Sequence, residues 1–313
     1  MDISVVLCTY NRCKILPQAL ESVLGSTLPS SIDWELLVVD NNSTDQTRQV
    51  VEEYCRRFPD RIRYVFEMQQ GLSRARNRGI REARGTIIAF MDDDVTVEPG
   101  WLQTLTSSLR DGHWAGAGGS VVPQWTSSPP AWLPLSDRYA LAPLAMFDPK
   151  LEAGPLDEAP FGANMAFRKE MFEKYGDFRT DLGRCGASML SNEDTEFGDR
   201  LLRAGEHLRF EPSAVVRHPV PENRLQTAYF LKWSFDKARS DVRQSGVPKD
   251  TKWLIAGVPL YLFRRLAAWT VRWLVTTDSS RRFGAKQRVW GRVGEIQECY
   301  RLSRERRQAV NNG

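Results

Sequence analysis

The first 120 residues of this 313-residue chain alternate short apolar runs with segments of helical pattern. The runs are ISVVL from Ile3, ELLVV from Glu35, RIRYVF from Arg61, TIIAFM from Thr86 and AGAGGSVV from Ala115. Between them lie helix-like segments at 14–24, 45–57, 73–84 and 99–110. Strands apolar on both faces need cover on both sides, and helices joining parallel neighbours supply it. The rhythm predicts an α/β fold, a doubly wound, mostly parallel sheet with flanking helices. In open sheets of this kind ligands bind beyond the carboxyl ends of the strands. Those ends carry CTYNR (8–12), DNNSTD (40–45) and DDD (92–94).

Residues 123–160, rich in Pro, Trp and small side chains, predict a long ordered loop or lid. Trp125 and Trp132 within it could stack on a sugar face or a lipid, though large aromatics are more often core. A strand, helix, loop, helix, strand unit follows, and the last 90 residues read as helical. The expected division is a catalytic domain at 1–220 and a basic, amphipathic helical extension at 221–313. Net charge is +4 overall, yet from Arg217 onward 20 Lys and Arg face 8 Asp and Glu. Five cysteines without CxxC spacing argue against a disulfide framework or a zinc site. With no signal-peptide pattern and no apolar run of membrane-spanning length, a cytoplasmic protein is expected.

Three consecutive carboxylates, Asp92, Asp93 and Asp94, end the apolar run IIAFM. Unpaired carboxylates are costly to bury and repel each other, so either all three sit in water or a cation gathers them. In extended backbone Asp92 and Asp94 point the same way, which suits Mg2+ or Mn2+ held together with substrate phosphates. The alternative is a solvated acidic turn. Asp40 ends another apolar run, and the Ser43, Thr44 and Asp45 that follow it read as a helix cap.

VVLCTYNR, LLVVDNNSTDQT, GLSRARNRGI, IIAFMDDD, GANMAFRKEMFEKYGDF and NEDTEFGDRLLRAG occur in that order. Over residues 3 to about 220 the chain resembles the family 2 glycosyltransferases of GT-A fold. The resemblance implies transfer of a hexosyl- or N-acetylhexosaminyl-type sugar from a nucleotide diphosphate donor, a UDP-sugar first, with inversion at the anomeric carbon. It assigns Thr9, Tyr10, Arg12 and Asp40 to the nucleotide pocket. Gly71 would allow close backbone approach there, and one of Arg74 and Arg76 would serve base or phosphate. The metal motif falls on Asp92 and Asp94, with Asp93 beside the donor and His218 as a further metal ligand or phosphate contact. Gly162 and Asn164 would shape the donor-sugar region, Asn164 by bonding a sugar hydroxyl.

In SNEDTEFGDRLLRAG the spacing fits a capping box, with Ser191 at the cap and Asp194 three residues on. The resemblance makes Asp194 the general base and Glu193 its support. The two readings are compatible, because the helix dipole favours a charged carboxylate in the first turn.

At helical spacing over 259–274, Leu262, Leu266, Trp269 and Trp273 share one face and Arg264, Arg265 and Arg272 the opposite one. This fits either a helix on an anionic membrane surface or one packing its Leu/Trp stripe on the catalytic domain. No nucleic-acid module appears. The expected protein is a metal-dependent glycosyltransferase acting on a glycan or lipid-linked acceptor, cytoplasmic or peripheral at the inner membrane face. A non-catalytic nucleotide-sugar binder or scaffold of the same fold is the alternative.

Overall fold

The computed structural model describes residues 1–135, 137, 141–149, 152–247 and 253–311. The chain divides into two compact units, one of residues 1–124, 146–180 and 193–219, the other of 125–145, 181–192 and 220–313.

The first unit opens with β1 (Ile3–Thr9), α1 (Leu16–Leu24), β2 (Trp34–Asp40), α2 (Thr47–Arg57), β3 (Ile62–Phe66), α3 (Leu72–Glu82) and β4 (Ile87–Asp92). Every residue of β2 is buried, as are the first five of β4. These strands are covered on both faces, which is why they read as unbroken apolar runs. Then come β5 (Thr96–Val97), α4 (Trp101–Ser107), β6 (Gly116–Trp125), β7 (Gly154–Leu156), β8 (Asn164–Arg168), α5 (Glu170–Tyr175), α6 (Glu193–Arg203) and β9 (Leu208–Val220). Among the described residues these strands form one sheet in the order β3-β2-β1-β4-β8-β6-β9-β5, with β7 on β9. The β1, β2, β3 and β4 pairings are parallel, and β8 then enters antiparallel to β4.

Register sets what meets at the carboxyl edge. Thr9 pairs with Asp40 and Cys8 with Asp92, so three sequence-distant segments end level. Met91 pairs with Asn164, which puts the turn before β8 beside Asp92. Thr96 pairs with Arg217, which brings His218 to the acidic run. β5, too short for periodicity to reveal, makes this last link.

Phe90, Phe167, Phe172, Phe178 and Phe197 form an aromatic core under α5 and α6. Phe172 and Phe197 stack with centroids 4.5 Å apart, and Phe167 meets Phe197 edge-on at 5.0 Å. Phe197 lies one turn beyond Glu193 and is fully buried. The first turn of α6 is thereby fixed against the sheet.

The second unit holds α7 (Thr227–Ser245), a hairpin of β10 (Leu254–Ile255) and β11 (Val258–Pro259), α8 (Leu260–Val275) and α9 (Ser279–Asn311). Trp132 packs on Phe283 at 4.4 Å and on Phe230 at 5.2 Å, and Trp125 joins the same cluster. The Trp-rich segment thus supplies core, as expected. Of the expected loop, residues 136, 138–140, 150 and 151 lie outside the described residues.

The Leu/Trp stripe of α8 faces inward. Leu262 is buried, Leu266, Trp269 and Trp273 are half-buried, and Trp273 meets Trp290 of α9 at 6.1 Å. Arg288 of α9 lies over the Trp269 ring. The stripe thus packs on α9, an element of its own unit, where the expected packing surface was the catalytic domain.

Candidate active site

Arg76 of α3 is the hub of the candidate site. Gly71 precedes the helix with φ 139°, a conformation that favours glycine, and its N–H donates to Asn41 Oδ1 at 2.8 Å. The helix then buries Arg76 and leaves Arg74 outside, bonded to Gln69. Arg76 donates to Glu193 Oε1 at 2.7 Å, to the Gly162 carbonyl at 3.1 Å and to Asp92 Oδ1 at 3.4 Å. Of the two arginines, Arg76 is therefore the ion-pairing one.

Asp194 sits in the first turn of α6. Its Oδ2 accepts the Gly162 N–H at 2.7 Å and its Oδ1 the Thr195 N–H at 2.7 Å. The Gly162 peptide thus links base candidate and hub, its N–H to Asp194 and its carbonyl to Arg76. A Cβ at Gly162 would lie 2.7 Å from Arg76 Nη2 and 2.8 Å from Asp194 Oδ2. The expected capping box does not form, because the helix begins at Glu193 and Ser191 falls outside it. The Ser191 hydroxyl donates to Asn192 Oδ1 instead.

Glu193 is buried between the Arg76 cation and a second carboxylate. Burial, then the Asp194 charge, pushes its carboxyl up to about 7, and Arg76 only partly offsets this. Among the described residues its Oε2 has no hydrogen-bond partner.

Along the acidic run, Asp93 is buried, with Arg12 Nε 3.8 Å from its Oδ1. Burial, then the Asp94 charge, pushes its carboxyl up to about 7 against the pull of Arg12 and the Thr9 hydroxyl. His218 Nε2 stands 3.6 Å from Asp94 Oδ1, while its Nδ1 lies 3.1 Å from the Pro219 carbonyl. A neutral ring whose Nδ1–H donated to that carbonyl would present its Nε2 lone pair, the arrangement usual for a metal-binding histidine. Among the described residues no three His, Cys, Asp or Glu side chains make a metal cage by themselves. The set instead fits Mg2+ or Mn2+ held by one or two carboxylates and completed by substrate phosphates and water.

The nucleotide-pocket candidates divide. Tyr10 and Arg12 reach the surface, whereas Thr9 and Asp40 are buried. Asp40 accepts the Ser43 N–H and the Tyr64 hydroxyl, both at 2.9 Å, and so ties the end of β2 to the loop after it and to β3. Asp45 accepts the Thr47 N–H at the start of α2, as a cap should, while Ser43 Oγ accepts from Asn11 N. The structure overturns the expectation for Asn164. It is 0% exposed, takes a hydrogen bond from Trp101 Nε1 at 2.8 Å and donates to the Ser120 and Ala214 carbonyls, so it cannot meet a sugar hydroxyl.

Sequence reasoning missed Asn41, which donates to the Gln69 carbonyl at 2.8 Å while holding Gly71, and so sets the loop before α3. It also missed the Gly162 bridge. The run NNST was a turn signal that could have pointed to Asn41, whereas no local pattern announces a backbone bridge.

These features define a GT-A-type nucleotide-sugar transferase fold. A mannosyltransferase from Pyrobaculum calidifontis, solved in complex with GDP-Man and Mn2+, superposes with TM-score 0.63 at 17% identity, over 96% of this chain and 87% of that one. The family model "Glycosyl transferase family 2" matches residues 4–176, and the chain belongs to that family. It is 29% identical over 244 residues to the succinoglycan biosynthesis protein ExoM of Rhizobium meliloti, covering 78% of this chain and 75% of that one. It is 28% identical over 242 residues to a glucosyl-dolichyl phosphate glucuronosyltransferase of Haloferax volcanii, covering 75% and 74%.

Proposed function

We propose that this glycosyltransferase moves a hexosyl- or N-acetylhexosaminyl-type sugar from a UDP-sugar to an acceptor hydroxyl, with inversion, and that Asp194 is its general base. The observation that carries the reading is the Asp194–Gly162–Arg76–Asp92 chain of contacts, which ties the first turn of one helix to the acidic end of β4. Asp194 would take the acceptor proton as the hydroxyl oxygen attacks the anomeric carbon from the face opposite the departing diphosphate. Its Oδ2 is held by the Gly162 N–H, which fixes the carboxylate's direction. Arg76 and Glu193 position that turn.

Asp94 and the His218 beside it would hold Mn2+ or Mg2+ together with the substrate's phosphates, Asp92 being turned to Arg76, and the bound cation would neutralise charge on the leaving nucleoside diphosphate. Tyr10 and Arg12 would contact the nucleotide, with Thr9, Asp40 and Gly71 shaping its pocket. The Haloferax relative's name specifies a dolichyl phosphate-linked substrate and the Rhizobium relative's a polysaccharide. Both names support a lipid-linked or surface-polysaccharide acceptor, and with such an acceptor the enzyme would work at the inner face of a membrane.

The test is turnover of a panel of UDP- and GDP-sugars with Mn2+, for wild type and Asp194→Asn. Turnover with a UDP-sugar, lost in the variant while donor affinity is kept, supports the reading. Tight donor binding with no turnover in either protein would favour a nucleotide-sugar binder and overturn it.

A further inference from the structure

Helix α8 has two apolar sides, and only one of them is used inside the protein. At about 100° per residue the packed stripe of Leu262, Leu266, Trp269 and Trp273 occupies one sector. On the opposite side Val271, Leu274 and Val275 are 58%, 64% and 69% exposed, with Ala267 and Ala268 exposed beside them. Arg264 falls within this outer sector, while Arg265 and Arg272 flank it, all three exposed. The hairpin leading into the helix adds Trp253, Leu254 and Ile255 at 73%, 54% and 53% exposure. No Asp or Glu occurs anywhere from Trp253 to Thr277.

We propose that this outer face of α8, with the hairpin before it, lies on an anionic lipid bilayer. Exposed apolar side chains grouped on one side of a helix need a cover, and the charges decide which. A protein partner would have to desolvate Arg264 in the centre of the patch, where interfaces are depleted of charge. At a bilayer surface the same arginine lays its methylenes along the acyl boundary and turns its guanidinium to a lipid phosphate. A helix of 16 residues is about 24 Å long, shorter than the hydrocarbon core. Among the described residues no helix is long and apolar enough to cross a membrane. The element therefore lies on the surface. The acid-free stretch supplies charge complementarity to phosphatidylglycerol-type headgroups. This face is distinct from the Leu/Trp stripe that helical spacing singles out, and it stands whether or not the acceptor is lipid-linked.

The test is co-sedimentation of the full chain with phosphatidylcholine vesicles, with and without phosphatidylglycerol, at low and high salt. Wild type should bind the anionic vesicles and release with salt. Arg264→Gln/Arg265→Gln/Arg272→Gln should lower partitioning by about a hundredfold, at roughly fivefold per charge. Val271→Asp/Leu274→Asp should lower it by at least about tenfold at unchanged melting temperature, since both positions are already exposed. The inference is overturned if wild type ignores the anionic lipid or if both variants bind as wild type does. It is equally overturned if analytical ultracentrifugation shows a dimer that Leu274→Asp dissolves while vesicles are not bound. Because no sugar substrate enters the assay, failure here leaves the proposed reaction untouched, and failure of that reaction leaves this face standing.

Discussion

Each unit of the protein contains a buried charge cluster, and the two are built in opposite proportion. In the α/β unit one guanidinium, Arg76, serves the carboxylates of Glu193 and Asp92 and feels that of Asp194. In the helical unit one carboxylate, Glu298, receives three guanidinium groups: Arg243 at 2.6 Å, Arg239 at 3.0 Å and Arg301 at 2.5 Å. Burial pushes both carboxyls upward. For Glu298 the bonds from Arg301 and Arg243 outweigh it and its carboxyl is held low. For Glu193 a neighbouring acid adds to burial, and the carboxyl rises to about 7. A cluster that compensates its own charge serves stability, whereas surplus negative charge is what the proposed cation and proton transfer would use.

The comparison can be broken by substitutions, beginning with the largest expected effect. Asp194→Asn should cut kcat by about a hundredfold to ten-thousandfold with donor KM little changed, as steady-state kinetics will read. Glu298→Ala should remove the buried carboxylate that Arg239, Arg243 and Arg301 share and cost about 3 to 5 kcal/mol in urea denaturation, at unchanged donor KM. An unaltered denaturation midpoint would remove the contrast between the clusters. Gly162→Ala should force apart Arg76 and Asp194 and lower kcat by about a hundredfold, with melting temperature as the check that the fold survives.

Glu193→Gln sharpens the contrast through pH. A carboxyl raised in the folded state binds its proton more tightly there than in the unfolded chain. Its contribution to stability is therefore fully present below the ordinary value of 4.5 and is lost as pH rises towards about 7. The wild type should lose at most about 1.4 kcal/mol per pH unit from this group across that window. The Gln variant should lose that slope, as denaturation at a series of pH values will show.

Much of this architecture was legible in the sequence because parallel strands buried on both faces announce themselves as unbroken apolar runs. Runs such as LLVV and IIAFM also end where the register places the edge, so the acids after them lie together at that edge. What stayed hidden depends on antiparallel pairings between distant segments. Two-residue β5 and the turn before β8 have no periodicity, yet they bring His218 to Asp94 and Gly162 to Asp194. Asn164 misled for a related reason. A polar residue beside a site resembles a ligand contact until the indole of Trp101 is seen to claim it. On α8 periodicity found the packed stripe, but a helix apolar on two sides needs the neighbouring helix to show which one is left over.

The most direct test of the central claim is calorimetric titration of UDP, with and without Mn2+, into wild type and Asp94→Ala. The account predicts tight binding only with Mn2+ in the wild type and loss of that metal-dependent part in the variant, with GDP weaker than UDP. UDP binding of equal strength with and without Mn2+, unchanged by Asp94→Ala, would contradict it and leave the acidic edge without its proposed cation.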